Sequence, residues 1–152
     1  MSWFVKLIFS LSIFFLASCS SDYSINAIAE TEPVASSGDA ADDPAIVINF
    51  SNPAQSLIFG TDKRAGVYLY NLSGEKISYA SLGEINNIDV RQADNKIYVA
   101  ASNRTAQSIE FWEFNQQEFF KNIVYSDNLF DLSTQSITIP TNIDVYGICA
   151  GL

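Results

Sequence analysis

A set of short β-strands that returns every 41 to 44 residues constrains this chain more than any other feature. Runs rich in Val, Ile, Phe and Tyr occupy residues 45–50, 56–60, 67–72 and 76–80, and a second set occupies 87–90, 96–101, 108–114 and 119–125. Asn-Pro, Ser-Gly and Asp-Asn turns bound them, and no window carries a helical period. The two sets resemble each other. Ile58-Phe59-Gly60-Thr61-Asp62-Lys63 lies over Val99-Ala100-Ala101-Ser102-Asn103-Arg104, 41 residues on, and Val67-Tyr68-Leu69-Tyr70 lies over Ile109-Glu110-Phe111-Trp112. Asp43-Pro44-Ala45-Ile46 lies over Asn87-Ile88-Asp89-Val90, 44 residues on. A four-stranded unit recurring at this period is the signature of a propeller blade. The expected fold is therefore all-β, an incomplete β-propeller of about two and a half blades, with a third blade beginning near Asn142-Ile143-Asp144-Val145-Tyr146-Gly147.

Rotation gives the repeat a functional consequence. Equivalent positions of successive blades face the same rim, so Lys63 and Arg104 are expected to converge on one site. Lys63 closes the stretch 42–64, which opens on the paired carboxylates of Asp42 and Asp43. Hard oxygen ligands and cations delivered by consecutive strands suit a metal-assisted phosphate site. The alternative is an acidic turn, a β-meander and a solvated basic corner.

Charge and composition exclude several classes. The net charge of −9 leaves no basic stripe for nucleic acid. The chain has no histidine, which removes Ser-His-Asp and Cys-His catalysis and histidine metal ligation. A metal here is expected to be oxygen-bound, hence calcium or magnesium. Two cysteines, Cys19 and Cys149, do not make a disulfide framework.

The N-terminus reads as a targeting segment. Lys6 precedes the apolar run 7–16, too short to span a bilayer and of signal-peptide length. The run ends in Leu16-Ala17-Ser18-Cys19, which resembles a bacterial lipobox; the alternatives are an ordinary secretory peptide or an uncleaved anchor. The lipobox implies cleavage after residue 18, diacylation of Cys19 and, with Ser20 following, delivery to the outer membrane of the bacterial envelope. More than one acyl chain gives stable attachment. Loss of residues 1–18 would leave a net charge of −10, residues 19–41 would be an acidic tether, and 42–152 the domain. Cys149, left unpaired, is expected to be a buried small apolar residue.

Six colinear segments carry a further resemblance. They are Glu30-Thr31-Glu32-Pro33-Val34, Gly38-Asp39-Ala40-Ala41-Asp42-Asp43-Pro44-Ala45-Ile46, Gly60-Thr61-Asp62-Lys63, Asn86-Asn87-Ile88-Asp89-Val90-Arg91, Ala100-Ala101-Ser102-Asn103-Arg104 and Val145-Tyr146-Gly147-Ile148-Cys149. In this order and spacing the chain resembles the β-propeller phytases, calcium-dependent bacterial enzymes that release phosphate from myo-inositol hexakisphosphate (phytate). The resemblance implies that Glu30, Asp42 and Asp43 ligate Ca2+, with the carbonyls of Pro44 and Ile88 as further oxygens. It implies that Lys63 and Arg104 hold substrate phosphate, that Asn86 lies at the same rim, and that Tyr146 stands at the calcium cluster. Each has a plainer alternative: Glu30 a tether charge, Asn86-Asn87 a turn, Lys63 and Arg104 solvated corners, Tyr146 a core aromatic.

The implied chemistry is coherent. Like charges about 4 Å apart cost on the order of 1 kcal/mol in water and several times that at a protein surface, so an acidic protein repels a polyphosphate. Calcium on the carboxylates reverses the local sign, and it polarises phosphoryl oxygens and acidifies a bound water. No side-chain nucleophile is required. Val47 stands where the family has tryptophan, Asn49-Phe50 replaces its polar sequence, and the loop 92–96 is shorter than the family's. The resemblance covers only the first blades of a six-bladed family fold, so the chain alone is expected to lack a competent active site. The alternatives to a phytase are a non-catalytic surface lipoprotein that binds calcium or inositol phosphate, and an unrelated lipoprotein with a β-meander domain.

Overall fold

The computed structural model describes residues 24–151. Eight strands form two four-stranded antiparallel meanders. The first sheet takes β1 (Ala41–Val47), β2 (Leu57–Asp62), β3 (Gly66–Asn71) and β4 (Lys76–Ser81) in that order. The second takes β5 (Ile85–Ala93), β6 (Lys96–Asn103), β7 (Ser108–Asn115) and β8 (Gln135–Pro140). A 3-10 turn, Pro53–Gln55, interrupts the β1–β2 connection. The strand order of each sheet is its chain order, as the repeat requires.

One core joins the sheets. Val47, Phe59, Val67 and Leu69 of the first pack with Ile85, Val99, Ala101 and Phe114 of the second in one buried cluster. The strands alternate inward and outward residues as the period of two dictates. The repeat shows which face is covered. Val67 and Leu69 are fully buried beneath the second sheet, while Ile109 and Phe111, 42 residues on, are only half-buried on the far face.

The expected strand at 119–125 is instead helical. Helix α1 (Gln116–Asn122) leads into a 3-10 turn, Ile123–Tyr125, then a second, Leu129–Leu132, before β8. The Phe, Ile, Val and Tyr content of this run suggested strand, but Asn115 accepts a hydrogen bond from the Glu118 amide and caps a helix start. Seven residues are too few for an 11-residue window to show the period. The helix has a packing reason to form. Phe119 lies 6.3 Å from Phe59 of the first sheet and 5.1 Å from Phe114 of the second, and so wedges the two apart. Phe130 stacks on Trp112 at 3.8 Å, and the Ser78 hydroxyl of β4 donates to the Ser126 carbonyl.

The ends of the chain also depart from expectation. Residues 30–40 are not a loose tether throughout. The Glu32 amide donates to the Gly74 carbonyl, the Ala35 amide to the Tyr68 hydroxyl and the Ser36 amide to Asp62, which lays this segment up the outer face of the first sheet. At the other end, residues 141–151 contain no strand, so no third blade is formed among the described residues. Cys149 is exposed rather than buried. Cys19 and the lipobox lie outside the described residues.

Candidate functional site

The two sheets share one rim, built by the start of β1, the β2–β3 turn, the β4–β5 link and the β6–β7 turn. Each innermost strand carries a register shift there, between Ala41 and Pro44 in β1 and between Ile85 and Ile88 in β5. Irregularities of this kind re-aim side chains at the end of a strand. The re-aimed pairs are Asp42-Asp43 and Asn86-Asn87, 44 residues apart. A hydroxyl of the neighbouring strand holds each in place: the Asp43 amide donates to Thr61 Oγ1 at 2.8 Å, and the Asn87 amide to Ser102 Oγ at 3.0 Å.

These pairs bond to each other across the gap between sheets. Asn86 Nδ2 donates to Asp42 Oδ2 at 3.2 Å, and Asn87 Nδ2 to Asp43 Oδ2 at 2.9 Å. The Ile88 amide reaches the same Asp43 oxygen at 3.0 Å, and the Thr61 hydroxyl donates to the Asn86 carbonyl at 3.0 Å. Asp42 and Asp43 thus lie inside a strand and bridge two sheets, rather than forming an acidic turn.

The cations meet at this bridge. Lys63 Nζ lies 2.8 Å from Asp39 Oδ2 and 4.0 Å from Asp42 Oδ1. Arg104 Nη1 donates to Asn86 Oδ1 at 3.4 Å, so Lys63, Asp42, Asn86 and Arg104 form one continuous chain of contacts. The guanidinium of Arg104 stands 5.1 Å from the centre of the Tyr146 ring, a cation–π contact, and Nη2 lies 3.9 Å from Glu84. Arg104 Nε is buried with no hydrogen-bond partner. The hydrogen bond between Asp39 and Lys63 lowers the pKa of the carboxyl and raises that of the ammonium, so both stay charged across the neutral range.

The remaining expected residues are placed differently. Glu30 stands at the other end of the fold, its carbonyl against Gly74 in the β3–β4 turn. Six residues of β3 separate that turn from the rim, about 20 Å at the strand rise. Pro44 faces Gly60 across the β1–β2 ladder, and the Ile88 side chain is in the core. Tyr146 is mostly exposed and not a core aromatic. Sequence reasoning passed over Asp39, the strongest partner of Lys63, and Glu84. The signal for Asp39 was present in Gly38, whose φ of +75° turns the chain just before it.

The donor set limits what the rim alone can hold. Among the described residues no three Asp, Glu or Cys side chains cluster as a metal site. Asp43 Oδ2 already accepts two N–H donors and Asp42 Oδ2 one. Calcium takes 6–8 oxygens, and the second oxygens of two aspartates supply the right chemistry but a small part of that shell.

A family model for phytase matches residues 4–148. The chain belongs to the phytase family. A 3-phytase of Bacillus subtilis (strain 168) is 38% identical over 88 residues, which is 55% of this chain and 23% of that protein. The chain therefore spans less than a quarter of the length of that relative. Both sheets and the rim fall inside the matched span.

Proposed function

We propose that the rim is the phosphate-binding part of a phytase-type site, in which Lys63 and Arg104 hold phosphates of inositol hexakisphosphate. The two sheets are then the first two blades of the family's six-bladed propeller. One observation carries this reading: cations from equivalent turns of two sheets converge on the Asp42–Asn86 bridge. Two unrelated surface cations would have no reason to do so. Asn86 fixes the Arg104 guanidinium from one side, and the Tyr146 ring covers it from another. A planar fork so held suits a tetrahedral phosphate oxyanion. Lys63 supplies a second, more mobile charge, once Asp39 gives way.

Hydrolysis in this reading is calcium-dependent, the metal supplying charge reversal and an activated water. Asp42 and Asp43 would hold it in part, and the described residues do not complete its shell. A second reading keeps the same rim and has the chain capture inositol phosphate at the cell surface without turnover. In both readings the chain is anchored in the bacterial envelope, at the outer membrane, through a lipid on Cys19.

Titration calorimetry with phytate at fixed ionic strength tests the shared claim. Lys63→Ala and Arg104→Ala are each expected to weaken binding roughly tenfold or more, the size of a lost charge-assisted hydrogen bond. Undiminished affinity in the double variant removes both readings. Phosphate release with and without calcium then separates enzyme from capture module.

A further inference from the structure

We propose that the end of the fold opposite the rim is the face this chain lays against a zwitterionic lipid bilayer. The inference rests on the proposed anchor at Cys19. The β1–β2, β3–β4 and β5–β6 connections and the long β7–β8 connection all meet at this base. Large apolar side chains stand there in the open: Phe50 is 65% exposed, Val124 62% and Tyr125 86%, with Ile48 and Leu72 beside them. A groove of about 330 Å³ opens beside Val124, lined by Ala54, Gln55, Leu57, Asn71 and Phe120.

The path of the chain says what covers this base. Glu30 and Glu32 are pinned to Gly74 in the β3–β4 turn, so the N-terminal residues leave the fold at the base and not at the rim. Ile25 and Ile28, just before them, are fully open to solvent. From Cys19 to Glu30 is 11 residues. If it is the tether that the sequence suggests, a segment of that length would have an end-to-end distance of roughly 18 Å. The anchor therefore holds the base at the membrane surface, while bringing the rim down would add the length of the strands, about 20 Å.

The rim carries Asp39, Asp42, Glu84, Lys63 and Arg104, all costly to dehydrate. At the base Lys96 pairs with Glu113 at 2.8 Å, Lys121 lies 4.0 Å from Glu118, and Lys76 stands 5.9 Å over the Tyr68 ring. These three lysines stand among Glu32, Glu75, Glu113 and Glu118 and make no basic patch to seek anionic lipid, so contact is by apolar insertion into zwitterionic headgroups. Among the described residues no helix is long and apolar enough to cross a membrane. The site rim then faces away from the bilayer, toward dissolved substrate.

The test uses the full chain, made in a Gram-negative host with its own N-terminus and placed in phosphatidylethanolamine vesicles doped with nitroxide-labelled lipid. A polarity-sensitive fluorophore is attached at Tyr125→Cys on the base or Ala106→Cys on the rim, each in a Cys149→Ser background. Quenching and a blue shift at position 125, none at 106, and no change in 0.5 M salt are expected. Replacing Phe50 and Val124 by Glu is expected to abolish quenching at 125 while the chain stays with the vesicles. Mass spectrometry of the same sample reports the lipid on Cys19. A lipidated chain quenched equally at both positions, or only at 106, overturns the inference alone. An unmodified Cys19 overturns the anchor and the inference together.

Discussion

Asp43 separates two roles that a carboxylate at this position can play, and the separation can be measured. The resemblance to phytases implies that it is a calcium ligand. The structure gives it a structural duty as well, because Oδ2 accepts from Asn87 Nδ2 at 2.9 Å and from the Ile88 amide at 3.0 Å, both on the other sheet. Hydrogen bonds to a charged group contribute about 1.5–3 kcal/mol each. Asp43 is partly exposed and the Asn87 amide can turn to water, so the lower end applies, and Asp43→Ala is expected to cost about 3 kcal/mol. At roughly 3–6 °C per kcal/mol for a domain of this size, the melting midpoint falls by about 10–15 °C. The decisive condition is a thermal melt in chelator. A pure metal ligand stabilises only in proportion to the calcium present, so its loss leaves the chelated midpoint unmoved. A bridge between sheets lowers that midpoint whatever the calcium concentration. Asp43→Asn, which keeps one acceptor oxygen, is expected to fall between the two. If Asp43→Ala melts within about 2 °C of the parent chain in chelator, the bridging argument is wrong.

Other perturbations address the core, the outer face and the latch on Lys63. Phe119→Ala removes the wedge between Phe59 and Phe114 and is expected to cost about 3–5 kcal/mol by denaturant titration. Tyr70 is buried with its hydroxyl unpartnered, and burial, helped by nearby Tyr68, pushes its pKa from 10.0 up to about 12. The folded chain then holds this proton more tightly than the unfolded chain, so stability present below pH 10 is lost as pH rises toward 12, in total on the order of 2–3 kcal/mol. Tyr70→Phe is expected to flatten that alkaline slope and to be neutral or stabilising at pH 7; an unchanged slope refutes the assignment. Asp39→Asn frees Lys63 from its nearest partner and is expected to tighten phytate binding roughly two- to fivefold, the scale of an exposed ion pair, in calorimetry at pH 7. Weaker binding would make Asp39 part of the recognition surface rather than its competitor.

The repeat was legible in the sequence because rotation leaves a numerical trace that contacts then reproduce. The 44-residue offset between Asp43 and Asn87 reappears as hydrogen bonds between Asp42 and Asn86, Asp43 and Asn87, and Ile48 and Gln92. Seven strands could be read because each closes on a turn of recognisable chemistry. The eighth could not. Its true segment, 135–140, is wholly exposed and its short Ser-Ile-Thr-Ile alternation was passed over, while the helical segment 116–122 carries two phenylalanines that mimic strand. Tertiary demand decided between them: only a helix delivers Phe119 between the sheets and Asn115 to its cap.

At the rim, the repeat located Lys63 and Arg104, and it could not locate what lies outside the repeat. Asp39 reaches Lys63 because residues 32–36 climb the first sheet through Tyr68 and Asp62, a path that no periodicity encodes. The same path strands Glu30 at the base, because only the C-terminal end of the segment arrives at the rim. What the repeat does encode at the bridge is a departure from itself. Asp42-Asp43 in the first sheet becomes Asn86-Asn87 in the second, although the backbone irregularity and its supporting hydroxyl are kept. Four carboxylates there would meet at about 4 Å and repel by roughly 1–4 kcal/mol per pair. Four amides would meet without strain and would carry no charge to hold Lys63. Alternating the two lets each amide donate to the facing carboxylate while the other oxygen of Asp42 remains within 4.0 Å of Lys63. Where a repeat holds its geometry and changes its charge, the changed residues mark the site.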